Sequence, residues 1–449
     1  MMTRGTKSIL ATLGGILATI FVGTSPARAE IPFAQFDGWR LTTDGRVNTV
    51  LSVGQGNRVP QGIGENLGAG VTDTADSTGG LHSTRIRNGF MMSILGFTGQ
   101  KEVSPNFKVT TRVGLWMNIT GTRTKNNFAQ MDPRELYGKI EGNWGSLLAG
   151  SDLALFGRGG ILVDAQIAHN YGLGYPCGIR DASGGGCGMV GFGAPFPGFE
   201  PGLVYATPSL AGLQISVGMY DPATIGLATL DRAPLPRFEG EAKFEFKQLF
   251  RVFGSGFWQV LEGTPPGGVP LKNLHTDAWG GQAGAILTLG PVMLGGAAFE
   301  GAGFGPITYV EESAIAADSS GVLRNSHGAF GLGALLINAL NLKLAGGMGI
   351  WQVDKNKNDS GPTASSPDPN NPGMTILRPT NPNLIKQNLG ITVGIYQTTG
   401  PVHFALEYFR AQHTWYDRGV ANAADPAIID IITPKQVVNF VNASMTVAW

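Results

Sequence analysis

Residues 435–449 end in a strict alternation of apolar and polar side chains. The apolar positions are Val441, Ala443, Met445, Val447 and Trp449, and Asn442, Ser444 and Thr446 stand between them. Successive side chains of a β-strand point to opposite faces, so this segment has one apolar face and one polar face. Such a strand, ending on an aromatic residue, predicts the last strand of a transmembrane β-barrel. We expect Trp449 to be the signal by which barrel-assembly machinery recognises the chain.

An internal segment, 237–246, carries the same pattern with charges. One face holds Arg237, Glu239, Glu241, Lys243 and Glu245, and the other holds Phe238, Gly240, Ala242, Phe244 and Phe246. A soluble core does not account for five charges opposite three phenylalanines as well as a water-filled lumen does, because in a barrel the charges face water and the rings face lipid.

Sixteen segments of the chain show this two-residue period. They are 39–53, 84–99, 105–120, 133–141, 145–153, 200–207, 211–220, 236–247, 249–261, 275–289, 291–300, 327–338, 340–353, 385–398, 400–414 and 435–449. The connections between them alternate between short and long, as in outer-membrane barrels. The sequence therefore predicts an all-β fold, a 16-stranded antiparallel transmembrane β-barrel with short periplasmic turns and long extracellular loops.

Composition agrees with a barrel. Only 14% of the residues are charged, against about 25% in soluble domains. The uncharged window 280–299 has the length of a membrane-spanning helix, but Gly290 and Pro291 interrupt it. Proline breaks a helix interior, so two strands joined by a tight turn are the better interpretation.

The N-terminal residues have the pattern of a secretory signal peptide. Arg4 and Lys7 precede an apolar run at 9–23, and Ala27 and Ala29 bracket a small-residue cleavage site. This run is too short to span a bilayer as a helix. We expect residues 1–29 to be removed and 30–449 to form one barrel domain, with 30–38 as a periplasmic lead-in. The mature chain would carry 29 basic and 32 acidic residues, which gives no reason to expect nucleic acid as a partner.

Four stretches resemble the general (non-specific) porins of the Gram-negative outer membrane. They are 83–90, 134–140, 142–150 and 204–213, which are similar to the second strand, the fourth and fifth strands, and a later hairpin of that family. The chain departs from the family at Ser151, where arginine is frequent, and at Trp449, where phenylalanine is usual. The acidic element of the family's third loop has no counterpart in this chain, and residues 190–196 are the most similar segment.

The resemblance implies a homotrimer embedded in outer-membrane lipid that passes small hydrophilic solutes and ions by passive diffusion. It also implies that the third long loop, about 154–199, folds into the barrel and constricts the pore. No cofactor, bound metal or enzymatic activity is expected from it.

This constriction loop carries charges of both signs, including Arg158, Asp164 and Asp181. It also carries both cysteines of the chain, Cys177 and Cys187. An even number of cysteines in an oxidising compartment is most simply explained by a disulfide bond. Such a bond would either stiffen the constriction against solute traffic or only hold a flexible loop.

The wall opposite the loop is expected to be basic. The alternation places four arginines of the first strands on the inward face: Arg46, Arg85, Arg87 and Arg112. Arg134 is a further candidate for this wall, at a strand end where the alternation leaves its facing open. Facing acidic loop residues, they would produce a transverse field that filters solutes by charge. The alternative is that these arginines only pair with neighbouring carboxylates.

Two alternatives to passive diffusion would need other features in the lumen. A substrate-selective channel with a solute site in its lumen would show an aromatic track, for which the candidates are Phe253, Phe257, Tyr396 and Phe409. An outer-membrane hydrolase would need a Ser/His set, but the neighbours His82 and Ser83, and Ser326 and His327, point to opposite faces of their strands. His403 and His413 are ten residues apart on one strand, about 33 Å, and cannot share a metal ion.

Overall fold

The chain closes on itself into a barrel of sixteen antiparallel strands. The computed structural model describes residues 30–57, 60, 80–90, 92–117, 131–169, 174, 186–225, 230, 232–263, 274–305, 315–318, 320–359, 364–367, 375–378, 384–421 and 429–449. Among these residues no helix has the length and apolar character needed to cross a membrane.

In chain order the strands are β1 Ile31–Phe36, β2 Trp39–Asn57, β3 Gly80–Arg87, β4 Ser93–Ser104, β5 Phe107–Met117, β6 Met131–Gly142, β7 Gly145–Leu153, β8 Phe199–Ala206, β9 Leu213–Tyr220, β10 Arg237–Phe246, β11 Phe250–Gly263, β12 Leu274–Leu289, β13 Val292–Ala302, β14 Asn325–Ile337, β15 Leu342–Val353, β16 Ala364–Pro367, β17 Thr375–Arg378, β18 Ile385–Thr399, β19 Val402–Trp415, β20 Arg418–Ala421, β21 Ile429–Ile432 and β22 Lys435–Ala448. One α-helix, α1, spans Arg158–Ile167, and a 3₁₀ turn spans Asn338–Leu340.

The barrel closes where the last strand pairs with the first. β22 lies between β19 and β2, with Ala448 opposite Arg46. Trp449 adds a reciprocal pair of backbone hydrogen bonds with Gly45, at 2.9 and 3.0 Å. Its ring lies over Gly45, where a Cβ atom would be only 2.5 Å from the indole. The glycine therefore makes room for the terminal aromatic side chain at the seam.

The sixteen predicted segments correspond to sixteen wall positions, and their connections alternate between short and long as predicted. The wall consists of β2, β3 with β4, β5 to β15, β18, β19 and β22. The window at 280–299 is a hairpin of β12 and β13, as expected. Residues 31–36, within the expected lead-in, form β1 and pair with the start of β2, on the part of that strand that β22 does not reach.

The second wall strand is broken, although the sequence predicted it as continuous. β2 pairs with β4 up to Arg46 and with β3 from Val50, so the residues between β3 and β4 leave the ladder. Asn48 bridges the gap, accepting from Gly89 N at 2.7 Å and donating to Thr446 Oγ1 at 2.7 Å. This break faces the inside of the barrel and lies next to the third loop, whose Gly186 N donates to Asn88 O at 3.2 Å.

Candidate pore constriction

The described parts of the third long loop lie inside the barrel. α1 packs against β11, β12, β13 and β14. Its residues Ile161, Val163 and Ile167 are buried, as is most of the segment 186–198. An amphipathic helix needs an apolar surface to cover, and here the inward faces of β11 to β14 provide it.

The start of the loop is anchored to the charged face of β10. Phe156 N donates to Glu239 Oε2 at 2.8 Å, and the Arg158 guanidinium forms an ion pair with the nearly buried Glu241. Gly159 lies so close to the wall that a Cβ atom there would be 2.2 Å from the Phe253 ring. The charges that the sequence assigned to a wet lumen therefore hold the loop.

The end of α1 is fastened to the far wall by a buried ionic cluster, which we call the His169 latch: Asp164, His169, Thr392, Tyr396 and Glu407. His169 Nδ1 is 2.5 Å from Asp164 Oδ1, and its Nε2 is 3.2 Å from Glu407 Oε2 and 3.1 Å from Thr392 Oγ1. Tyr396 donates its hydroxyl to Glu407 Oε2 at 2.8 Å. The side chains of His169, Asp164 and Glu407 have no exposed surface.

The latch changes the acidity of its histidine. Burial lowers the pKa of His169, but the negative charges of Asp164 and Glu407 and their hydrogen bonds outweigh it and raise the pKa to about 10. The imidazole is therefore protonated at neutral pH, and the imidazolium cation lies between two carboxylates. A buried charge is tolerated only when it is paired and hydrogen-bonded in this way.

The returning part of the loop is held by its backbone. Asp164 Oδ2 accepts from Met189 N at 2.8 Å, and Asn388 donates to Gly191 O at 3.1 Å. The carbonyl of Phe192 lies against Gly349 of β15, where a Cβ atom would be 1.9 Å from that oxygen. Gly174, the single described residue between the two parts of the loop, donates its N–H to Glu407 Oε1 at 2.5 Å.

Two of the loop residues predicted for the constriction, Arg158 and Asp164, are held by contacts inside the barrel. Asp164 does not face the basic wall across an aperture, because its carboxylate is buried against His169 and Met189 N. Arg158 is paired with Glu241 on the wall. Cys187 is disulfide-bonded, while Cys177 and Asp181 lie outside the described residues.

On the opposite side, Arg46 and Arg134 stack on the lumen-facing Trp116. Their guanidinium carbons lie 5.1 and 5.4 Å from the ring centre, and Arg134 also lies 5.6 Å from that of Phe199. Arg46 Nε donates to Met92 O at 2.8 Å, and so satisfies a carbonyl that the break between β3 and β4 removes from the ladder. Arg134 Nε is 2.7 Å from Asp132 Oδ2. Stacking on aromatic rings fixes these cations in place.

Arg85 and Arg87 share the inward face of β3. Arg87 has no exposed surface; its Nη2 atom lies 3.3 Å from Asn442 Oδ1 and 3.5 Å from Ser52 Oγ, within electrostatic reach of Glu407. Arg85 is half-buried. Of the two, only Arg85 retains a partly exposed side chain.

Arg112 was predicted as part of the basic wall but is neutralised locally. It forms an ion pair with Asp44, in which Nη2 is 3.0 Å from Oδ2, and a second with Glu135 at 3.3 Å. Its Nη1 also donates to Thr98 at 3.0 Å. Two carboxylates around one guanidinium make this part of the wall net negative.

The four candidate aromatic residues do face inward but do not form a track. Phe409 packs on the loop residue Phe192 with ring centres 5.3 Å apart, and Phe257 packs on Phe156 at 4.8 Å. Phe253 is covered by α1, and Tyr396 belongs to the His169 latch. They support the third loop.

The structure also shows side chains that sequence reasoning missed. Glu407 is the centre of the latch, and Trp116 organises the basic wall. The alternation within β19 and within β5 already placed Glu407 and Trp116 on the inward face. For Glu407 the sequence offered one more signal, because it is the only acidic residue on the inward face of β19. Its partners come from β18, β22 and the loop, which no local pattern connects.

Neither a metal site nor a Ser/His set emerges from the described residues. They contain no cluster of three histidine, cysteine or acidic side chains arranged to hold a metal ion. His413 is buried with Nδ1 2.7 Å from Asn388 Oδ1, and His403 lies 3.0 Å from Thr398 Oγ1. Ser83 and Ser326 are buried, whereas their neighbours His82 and His327 are not.

Comparison with known proteins agrees with this architecture. A family model described as Gram-negative porin matches residues 15–427. No match was found among curated protein sequences. The outer membrane channel DcaP of Acinetobacter baumannii has a TM-score of 0.57 at 14% identity, covering 93% of this chain and 99% of its own. The anion-selective porin from Comamonas acidovorans scores 0.55 at 12% identity, covering 92% and 100%. The trimer form of OmpT, an outer membrane protein of Vibrio cholerae, scores 0.50 at 11% identity, with the same coverage. At these identities the likeness shows the fold.

Proposed function

Because the chain belongs to the Gram-negative porin family and is an outer-membrane channel, we propose that it passes small hydrophilic solutes and ions by passive diffusion. Filtering by size and charge takes place beside the third loop. The observation that carries this proposal is the uneven position of that loop. Its described parts cover the inward faces of β10 to β15, β18 and β19 and meet the opposite wall at Asn88, whereas a polar cavity of about 450 Å³ is lined by β2, β4, β5 and β6.

In this proposal solutes pass between the loop and the wall formed by β2 to β7. The half-exposed cations of that wall, Arg46, Arg85 and Arg134, attract anions, and the buried Arg87 contributes through the field alone. Arg112 contributes little, because two carboxylates surround it. Fixed charges near a narrow, water-filled passage influence permeation more than the net charge of the whole protein.

The charge filter is tested by the reversal potential of the folded protein in a planar bilayer under a salt gradient. We expect anion preference in the wild type. Arg85→Gln should shift the potential towards cations by several millivolts, because it removes one partly exposed charge from the passage. Arg251→Gln is the matched control: Arg251 is also half-buried on the inward face, and it lies on β11 beside Glu245, away from β2 to β7.

Equal potentials for wild type and Arg85→Gln would exclude Arg85 from the filter. A shift of the same size in Arg251→Gln would indicate that any lumen charge acts in this way, and would remove the assignment of the filter to β2 to β7.

A second candidate is a substrate-selective channel with a solute site in its lumen. The mixed charges of the 450 Å³ cavity favour it over an aromatic-track mechanism. The two candidates differ in flux: diffusion through an open pore rises linearly with solute concentration, whereas a binding site of useful affinity saturates. Liposome swelling with neutral sugars and with charged solutes at rising concentration distinguishes them.

We further propose that the protein is a homotrimer, supported by the trimer form of OmpT. Secretion would depend on a cleaved signal peptide at 1–29, and barrel-assembly machinery would recognise β22 and Trp449. Intact-mass measurement of the outer-membrane protein gives the mature N-terminus, expected at Glu30. Trp449→Ser should lower the amount of heat-resistant trimer in the membrane, because the indole packs over the seam at Gly45.

A further inference from the structure

A polar cavity lies on the inward wall near the short-turn end of the barrel, away from the described part of the third loop. It is lined by Glu30 and by ten residues of β2, β4, β5 and β6, six of which are charged, and its volume is about 450 Å³. The charges divide into two groups of opposite net sign.

The first group, which we call the acidic triad, consists of Asp44, Arg112 and Glu135. The guanidinium binds both carboxylates and the hydroxyl of Thr98, so its Nη donors are used within the wall. Glu135 Oε2 also accepts from Trp116 Nε1 at 3.4 Å. With two carboxylates and one cation, the triad has a net charge of −1 and can receive a positively charged group at Glu135 Oε1.

The second group, the basic triad, consists of Lys108, Lys139 and Glu141. Glu141 lies 2.7 Å from Lys139 Nζ and 3.7 Å from Lys108 Nζ. Two ammonium groups share one carboxylate, so the net charge is +1. Each side chain is about one-third exposed, and each ammonium has three donors, so the triad can receive an anion.

The two triads lie at opposite ends of one groove. On β5, Arg112 and Lys108 are four residues apart, which corresponds to about 13 Å along a strand. Between them lies Thr110, whose hydroxyl is buried and has no hydrogen-bond partner among the described residues. Its side chain also lines the cavity. Tyr137 lines the same stretch and is opposite Arg112 in register.

Glu30 also lines the acidic end. If cleavage makes Glu30 the first residue, its new amino group offsets its own carboxylate. Glu30 then adds no net charge, and the net charge of this end of the cavity is that of the acidic triad.

We propose that this cavity is a binding site for extended zwitterions, with the ammonium end of the solute at the acidic triad and its carboxylate at the basic triad. The proposal rests on the proposed channel function, since it places the site on the solute path. A peptide of three residues spans about 10 Å between its termini. Hydrogen bonds at both ends extend this reach to the spacing of the triads, so short peptides are the solute class that matches.

The test is isothermal titration calorimetry of the folded full-length protein in detergent, with three probes of nearly equal size. Triglycine carries both charges, N-acetyl-triglycine only the carboxylate, and triglycinamide only the ammonium. We expect triglycine to bind about fivefold more tightly than either derivative, as expected for loss of one partly exposed ion pair. Equal affinities for the three probes, or no binding of triglycine, would overturn the proposal.

Two variants locate the ends of the solute. Glu135→Gln should weaken triglycine and triglycinamide while leaving N-acetyl-triglycine unchanged, and Lys139→Gln should weaken triglycine and N-acetyl-triglycine while leaving triglycinamide unchanged. Glu245→Gln, which removes an inward carboxylate on β10, is the matched control and should change none of them. If each variant weakens all three probes alike, the triads do not bind the termini. The comparison of probes on the wild-type protein tests the proposal even if a variant fails to fold.

Calorimetry does not depend on conduction. A protein that binds triglycine but carries no current would refute the proposed channel function and support the binding site. Conversely, a conducting protein without triglycine binding would refute the site alone.

Discussion

At the scale of single residues, the partners of a lumen charge decide what it does. Arg46, Arg87 and Arg112 all face inward, yet one stacks on Trp116, one is buried beside Asn442 and one is enclosed by carboxylates. The same holds for Asp164, which an aperture model would place opposite the arginines and which instead binds His169. Inward facing is therefore a necessary condition for a filter residue, but not a sufficient one.

The His169 latch predicts a characteristic dependence of stability on pH. The pKa of His169 is raised from 6.5 to about 10 in the folded protein. A raised pKa gives stability that is fully present below the unfolded value and is lost as pH rises. The contribution of His169 should thus decline from pH 6.5 and disappear above about pH 10. We expect the heat-unfolding midpoint of the wild type to fall over this range relative to that of His169→Gln.

Every other titrating group is common to the two proteins, so the difference between their midpoints isolates the latch. Parallel curves from pH 6.5 to 10 would show that His169 is not held as a cation between Asp164 and Glu407.

The inward or outward facing of these residues could be predicted from the sequence, and their partners could not. Period-two alternation places Arg85, Arg112 and Glu135 on the inward face, because that depends on parity along one strand. The pairing of Arg112 with Asp44 depends on the register between strands and on side-chain length. The contact between His169 and Glu407 joins residues 238 positions apart in sequence and depends on where the loop meets the wall.

At the scale of elements, the third loop is held by many modest contacts in place of one strong one. α1 rests on apolar wall residues, its start is paired to β10, and its end is fastened by the latch. The returning segment lies on wall glycines, whose missing side chains let its backbone approach β14 and β15 closely and let the Phe192 ring approach β18. A loop held at several points along its length should resist displacement by passing solutes.

Gly349→Ala tests this close approach. The new Cβ would lie 1.9 Å from Phe192 O, so the loop must move towards the lumen. We expect a lower single-channel conductance and a loss of stability of about 1–3 kcal/mol, as for overpacked sites. The measurements are single-channel current and the heat-unfolding midpoint.

Gly331→Ala is the control for Gly349→Ala. Gly331 lies on the neighbouring strand β14 and faces outward, and a Cβ atom there meets nothing within 4 Å. Conductance should remain at the wild-type value in this variant. Unchanged conductance in Gly349→Ala as well would mean that the loop at Phe192 does not border the passage.

The loop was the hardest element to predict from sequence. Its length and position after the fifth wall strand indicated an inward constriction, but α1 has no side-chain cap and begins after Gly157 in a left-handed conformation. The break between β3 and β4 was missed for a related reason. Asn88, Gly89 and Asn48 form it through contacts between strands, whereas the alternation within each strand remains regular.

At the scale of the whole molecule, the strand pattern defines the barrel almost completely. Alternation, turn residues and connection lengths gave sixteen strands in the right order because each wall strand pairs with its neighbours in sequence. The pairing of β2 with β22 could also be predicted, because a closed barrel must join its first and last wall strands. β1 was not foreseen, since it pairs with the first residues of β2, which lie before the part of β2 that pairs with β22.

The most direct test of the account is the single-channel current of the full-length protein refolded in a planar lipid bilayer. We predict ohmic currents that grow in proportion to salt concentration, appear in groups of three equal steps, and reverse at a potential favouring anions. These results would correspond to three open barrels, each with a passage between the third loop and the wall of β2 to β7. Currents that saturate at low salt, or a folded protein that carries none, would contradict an open diffusion channel.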